Sequence, residues 1–166
     1  MDFSFPGAYP KQLISLTFNA NHFSPAMHVL VYAFYQDKLL FTHHRQRGWE
    51  LPGGKCLINE STETAAIREV FEETGADLDF IKPIAQYTIT HPRQTQQIKT
   101  IFVAHVQQIN SLPIGFETDK IQLIGPPPTA ETIIANPEFS MLLKDNVYRF
   151  SLPVALEEII HLCAAL

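Results

Sequence analysis

A chain of 166 residues, 46% hydrophobic and 17% charged, is long enough for one domain with a sizeable core. Its net charge of −5 gives no basic footprint for duplex nucleic acid, and no stretch reaches the ~20 apolar residues of a membrane span. Cys56 and Cys163 form neither a metal-spacing motif nor a disulfide framework. Met1 to Pro10 lacks the basic start and apolar run of a signal peptide, so a cytoplasmic location is expected.

In chain order, Lys11–Phe18 alternates as a first strand, and Met27–Tyr35 is an apolar run of the buried-strand kind. A turn at Gln36-Asp37-Lys38 leads to a strand over Leu39–His43. Trp49 to Lys55 is predicted to end a strand and turn sharply at the pair Gly53-Gly54. A helix follows from Ser61 or Thr62 to Gly75. Ile81–Thr90 and Ile98–Gln108 read as a hairpin around His91-Pro92-Arg93, with another strand over Phe116–Ile124. Pro126-Pro127-Pro128 is a stiff break, and the rest reads as helical. Pro153–Ala165 is its strongest segment, with Pro153 in a first turn. Strands interleaved with a central and a terminal helix predict a single domain over 1–166 of the α/β (α+β) class, a mixed sheet between helices.

The central helix carries the chemistry. At about 100° per residue, Ala66, Ile67, Val70 and Phe71 cluster on one side, to pack on a sheet. Glu69, Glu72 and Glu73 stand at i, i+3 and i+4 and share another side. An acidic helix face is ordinarily just solvated. Here, however, like charges at i, i+4 cost about 0.2–0.5 kcal/mol, and carboxylates in a last turn oppose the helix dipole by about 0.3–1 kcal/mol each. A bound cation reverses both penalties, so the pattern points to a hard divalent metal. Ser61 or Thr62 suits the N-cap and Gly75 the left-handed C-terminal position. Ser61 is followed at the capping-box offset by Thr64, so no such box exists.

The preceding loop supplies a second part. Gly53 and Gly54 let backbone approach a ligand closely, and Lys55 can meet a phosphate as a point charge. Arg45 and Arg47 are further phosphate candidates by charge. His43 and His44 adjoin the loop, but neighbours on a strand point to opposite faces and do not readily serve one metal. Trp49 reads as a packing residue, as do Met141, Leu142 and Leu143 on a helix.

Gly54, Glu60, Arg68, Glu69, Val70, Glu72, Glu73 and Gly75 fill the pattern G-x5-E-x7-R-E-U-x-E-E-x-G-U, where U is a bulky aliphatic residue. The stretch 54–76 thus resembles the Nudix box, departing only at Ala76, which is smaller than usual. The resemblance implies the Nudix α/β/α sandwich and hydrolysis of a nucleoside diphosphate linked to another group. It implies Mg²⁺ or Mn²⁺ held by Glu69, Glu72, Glu73 and the Gly54 carbonyl, with Glu60 as a supporting carboxylate and Arg68 fixing the acids. Such ions neutralise phosphate, activate water and orient an in-line displacement. In the family a glutamate from a later loop often serves as base or extra ligand; Glu117 lies at that distance, with Asp119 the weaker choice. Gly53, Gly54, Lys55 and Arg47 are the expected substrate-binding residues.

The compact chain, with Pro10–Phe23 and Glu138–Leu152, further resembles MutT-like triphosphatases. A nucleoside triphosphate, including 8-oxo-dGTP, cleaved to monophosphate and pyrophosphate is therefore the leading expectation. ADP-ribose or a nucleotide sugar, suggested by Pro92, is an alternative, as are RNA 5′ ends and a non-catalytic nucleotide sensor. The expected partner is a small nucleotide, with no duplex nucleic acid and no membrane, and the chain is expected to be a monomer or homodimer.

Overall fold

The computed structural model describes residues 1–165. Its strands are β1 (Asp2–Pro6), β2 (Leu13–Thr17), β3 (His28–Tyr35), β4 (Lys38–His44), β5 (Gly48–Glu50), β6 (Gly53–Lys55), β7 (Ala76–His91), β8 (Gln94–Ile109) and β9 (Thr118–Ile124). The helices are α1 (Thr62–Thr74), α2 (Ala130–Ala135) and α3 (Asn146–Ala165). The strands form one mixed sheet in the order β1-β2-β7-β8-β3-β4-β5, with β6 also on β3 and β9 on β4. β3 and β8 run parallel, and the other pairs are antiparallel.

Alternation along β3 explains the layers. Val29, Val31 and Ala33 share one core with Ala65, Ala66 and Val70 of α1. Tyr32 and Phe34 point the other way, into a larger core with Tyr148, Ala155 and Ile159 of α3. The sheet therefore lies between helices, as expected. Ser151 Oγ donates to the Val147 carbonyl at 2.6 Å, so the buried Tyr32 hydroxyl donates to Ser151 Oγ at 2.7 Å.

The ends of α1 fall where local chemistry places them. Ser61 accepts from the Thr64 N–H at 3.1 Å, and Gly75, at φ 73°, donates to the Phe71 carbonyl at 2.8 Å. Ala76 is buried as β7 begins, so its small side chain suits a crowded exit. The buried face of α1 differs from the expected stripe. Ala65, Ala66, Val70 and Thr74 are buried, whereas Ile67 and Phe71 are 43% and 44% exposed. The helix is rolled so that Glu69 and Glu73 come toward the sheet and the two large apolar residues stay at its rim.

Three further expectations need correction. The glycine pair is not a turn: Gly53 and Gly54 lie in β6 opposite Leu30 and Val29, and neither has positive φ. The chain reverses at Leu51-Pro52 instead, where the Pro52 carbonyl accepts from the Val31 N–H at 2.9 Å. Pro153 is inside α3 rather than in its first turn. The helix begins earlier because Asp145 caps the Val147 N–H at 2.9 Å and because Val147, Tyr148 and Ser151 are buried. Last, β1 was not expected; it is an outer strand fixed by pairing with β2.

Candidate active site

The acidic face of α1 closes against β6. Gly53 N–H donates to Glu73 Oε2 at 3.1 Å. The Glu69 carboxylate lies against Gly54, where a Cβ would overlap it, while a Cβ on Gly53 would overlap the Val29 carbonyl oxygen. Both glycines are thus required for close approach rather than for a bend. Beside them lies a cavity of about 130 Å³ that includes His28, Arg47, Glu50, Gly53 and Gly54.

Arg68 organises the remaining acids. Its Nε and Nη2 donate to the two Glu60 oxygens at 2.8 and 3.0 Å, and Nη1 donates to Glu69 Oε1 at 2.9 Å and Glu72 Oε2 at 3.0 Å. Nη2 also reaches the Lys55 carbonyl at 3.0 Å. The planar fork thereby ties the helix to the end of β6. These bonds hold the Glu60 carboxyl below its usual range. Burial has the opposite effect on the other two: it raises Glu69 and pushes Glu73 up to about 8, against the pull of the Gly53 N–H.

Among the described residues no three His, Cys, Asp or Glu side chains surround one point as a closed cage. The acids are divided, with Glu69, Glu72 and Glu60 on Arg68 and Glu73 on Gly53. The donor chemistry nevertheless fits a hard divalent ion. It consists of carboxylate oxygens, those of Glu69 and Glu73 held by burial against ionisation, on a ledge with no Cβ in the way.

Arg47 joins the cleft from the other side. Its Nε and Nη2 bind the buried Glu50 carboxylate at 3.0 and 2.8 Å, and Glu117 and Glu73 add to the negative surroundings that keep it charged. Glu117 is 85% exposed on the segment entering β9. Backbone N–H groups of Gln46 and Arg47 donate to His44 Nδ1 at 3.1 and 3.2 Å, so His44 Nε2 carries the proton and donates to Glu117 at 3.2 Å. His43 faces away and binds Asp119 at 2.7 Å, with Trp49 edge-on at 5.0 Å.

Two residues expected from their charge to meet phosphate have side chains directed elsewhere. The Arg45 guanidinium binds the Phe116 carbonyl at 2.6 Å, so it clamps the loop instead of facing the cleft. The exposed Lys55 side chain borders a separate cavity with Met27, His28 and Gln94 to Gln97, and only its carbonyl enters the Arg68 network. Met141, Leu142 and Leu143 also divide. Leu143 is buried and Leu142 is 39% exposed, and both border the cleft. Glu50, Tyr87 and Lys99 were missed. Glu50 had a local signal in Arg47, three residues before it, whereas Tyr87 and Lys99 reach the cleft through the β7–β8 register and had none.

The profile described as NUDIX domain matches residues 24–131. A Bacillus subtilis (strain 168) protein named "Putative 8-oxo-dGTP diphosphatase YtkD" is 34% identical over 152 residues, 91% of this chain and 92% of that protein. The crystal structure of a mutant of the Bacillus subtilis pyrophosphohydrolase BsRppH superposes with a TM-score of 0.82 at 32% identity, covering 96% of both chains. A hydrolase of the NUDIX family from Clostridium perfringens shares the fold at a TM-score of 0.57 and 19% identity, covering 82% of this chain and 99% of that one. The acidic helix packed on a double-glycine strand thus has both the motif and the overall form of its relatives, and the chain belongs to the Nudix hydrolases, pyrophosphohydrolases that act on phosphorus-containing anhydrides.

Proposed function

We propose that the substrate is a nucleoside triphosphate, 8-oxo-dGTP among them, cleaved to a nucleoside monophosphate and pyrophosphate with Mg²⁺ or Mn²⁺. One observation carries this reading: the Glu69 and Glu73 carboxylates rest on Gly54 and Gly53 at the edge of the cavity that Arg47 also borders. Glu69, Glu72, Glu73 and the Gly54 carbonyl are the residues that would hold the ion. When bound, the ion neutralises phosphate charge and increases the acidity of an attacking water. Glu60 and Arg68 orient the acids, and Arg47, fixed by Glu50, offers its remaining guanidinium edge to phosphate. Gly53 and Gly54 let the pyrophosphate lie against the strand. Glu117, held by His44, is the candidate to accept the proton from water.

The 34% identity with YtkD supports the triphosphate class, and 8-oxo-dGTP comes from that protein's name. Removal of pyrophosphate from RNA 5′ ends is the second reading, favoured by the likeness to the pyrophosphohydrolase BsRppH; the net charge of −5 weighs against long RNA. Pro92 lies in the two-residue turn between β7 and β8, so it gives no support to ADP-ribose. Product analysis with Mg²⁺ across NTPs, dNTPs, 8-oxo-dGTP, ADP-ribose and triphosphorylated RNA tests the choice. Monophosphate and pyrophosphate from the free triphosphates are expected. Folded protein that cleaves none of them with either ion defeats the reading.

A further inference from the structure

His44 is buried, at 4% exposure, and it ends β4. Opposite it the β4–β9 pairing shifts: His43 pairs with Lys120 and His44 with Thr118, so Asp119 is an extra residue in β9. Strand residues alternate between faces, so a bulge of this kind changes which side chains lie next to one another. Here it places Thr118 beside His44, and the Thr42 and Thr118 hydroxyls both donate to the Glu73 carbonyl, at 3.0 and 3.5 Å. Glu117, one residue before Thr118, lies within reach of the His44 ring.

Both ring nitrogens of His44 are engaged, each by a different part of the cleft. Nδ1 accepts from the backbone N–H groups of Gln46 and Arg47, at 3.1 and 3.2 Å, and Nε2 lies 3.2 Å from Glu117 Oε2. Two donors on Nδ1 leave the ring proton to Nε2, which gives the bond to the carboxylate its polarity. The same two segments are tied again by Arg45. Its N–H donates to the Glu117 carbonyl at 3.1 Å and its guanidinium to the Phe116 carbonyl at 2.6 Å. The Glu117 side chain is 85% exposed and has no side-chain partner besides His44 among the described residues. Without the ring it would be free to sample its rotamers in solvent.

We propose that His44 is a positioning residue that fixes Glu117 relative to the Arg47 segment, so that phosphate seated by Arg47 brings its phosphorus and the attacking water to the waiting carboxylate. His44 does not touch substrate and acts through Glu117. The Arg47 guanidinium is held separately by Glu50, at 3.0 and 2.8 Å, so loss of the ring leaves phosphate binding largely in place. Its loss therefore falls on turnover rather than on substrate binding. The inference rests on the reading above in which Glu117 accepts the proton from water, and it holds for whichever triphosphate is cleaved.

A double-mutant cycle in GTP hydrolysis with Mg²⁺, over His44→Leu, Glu117→Gln and the pair, tests the link. His44→Leu is expected to lower kcat about tenfold with KM within about threefold of wild type. His44→Gln should recover part of that loss, since its amide N–H reaches the place of Nε2. Glu117→Gln is expected to lose about a hundredfold, and the pair no more than about twofold beyond it, because a residue acting through Glu117 then has nothing left to place. Losses that multiply in the pair overturn the proposal. Glu117→Gln as active as wild type also overturns it, while leaving the triphosphate reading in place. Nitrogen-15 spectra of the wild-type ring need no variant to fold, and they are expected to show Nε2 protonated and Nδ1 bare. A proton on Nδ1 overturns the proposal as well. Folded protein with the expected ring state that cleaves no triphosphate would retain the link between the two segments and reject the function proposed above.

Discussion

Adjacent glycines in β6 do different jobs, and substitution separates them. At position 54 an added methyl meets the end of a flexible side chain, the Glu69 carboxylate; at position 53 it meets the Val29 backbone. Gly54→Ala is therefore expected to fold with little change in melting temperature but to lose on the order of a hundredfold in kcat/KM, because it displaces a carboxylate proposed to hold the ion. Gly53→Ala should cost about 1–3 kcal/mol in denaturant unfolding, since backbone must shift. Equal effects on stability would remove this division of roles. Asp145 gives a pH prediction. Its carboxyl is raised from 3.8 to about 6 in the folded protein, so the folded state favours the protonated form. That contribution to stability is present below about pH 4 and is lost as pH rises to about 6, a loss of about 1–2 kcal/mol for a half-buried group. Asp145→Asn is expected to melt above wild type at about pH 8 and to come level with it only below about pH 4.

Among the elements, α1 was the most legible because its limits are set locally. Ser61 and Gly75 cap it through bonds to residues three or four positions away, which a linear sequence displays. Ser61→Ala should cost about 1 kcal/mol in unfolding free energy. Its roll about its own axis was not legible. Periodicity gave an apolar side but could not weigh Ile67 and Phe71 against the pull of Glu73 toward Gly53. The exposed position of Ile67 makes Ile67→Lys nearly neutral, within about 0.5 kcal/mol, whereas Val70→Ala should cost about 1–3 kcal/mol. The reverse order in chemical denaturation would restore the sequence-based stripe. The start of α3 was hidden for a related reason: Pro153 marked a local boundary, but burial of Val147, Tyr148 and Ser151 extends the helix ahead of it.

At the scale of the whole molecule, the sheet brings together what lies far apart in sequence. Lys99 from β8, Asp145 ahead of α3 and Gly53 from β6 border one continuous cleft, and no spacing rule connects them. The catalytic half of the site was readable since Gly54 to Gly75 is a contiguous unit. The binding half was not, because it depends on the register of β7 with β8 and on the segment before α3. Arg45 and Lys55 show the same limit from the other side: charge suggested phosphate, and the fold turned both side chains elsewhere. No helix among the described residues is long and apolar enough to cross a membrane.

The most direct measurement of the central claim is product release from GTP as Mg²⁺ is titrated, followed by chelation, for wild type, Glu69→Gln and Glu73→Gln. GMP and pyrophosphate in equal amounts, turnover abolished by chelation and a loss of at least about a hundredfold in each variant are the expected results. Turnover that survives chelation, or variants as active as the wild type, would contradict an acidic helix face that binds the ion responsible for cleavage.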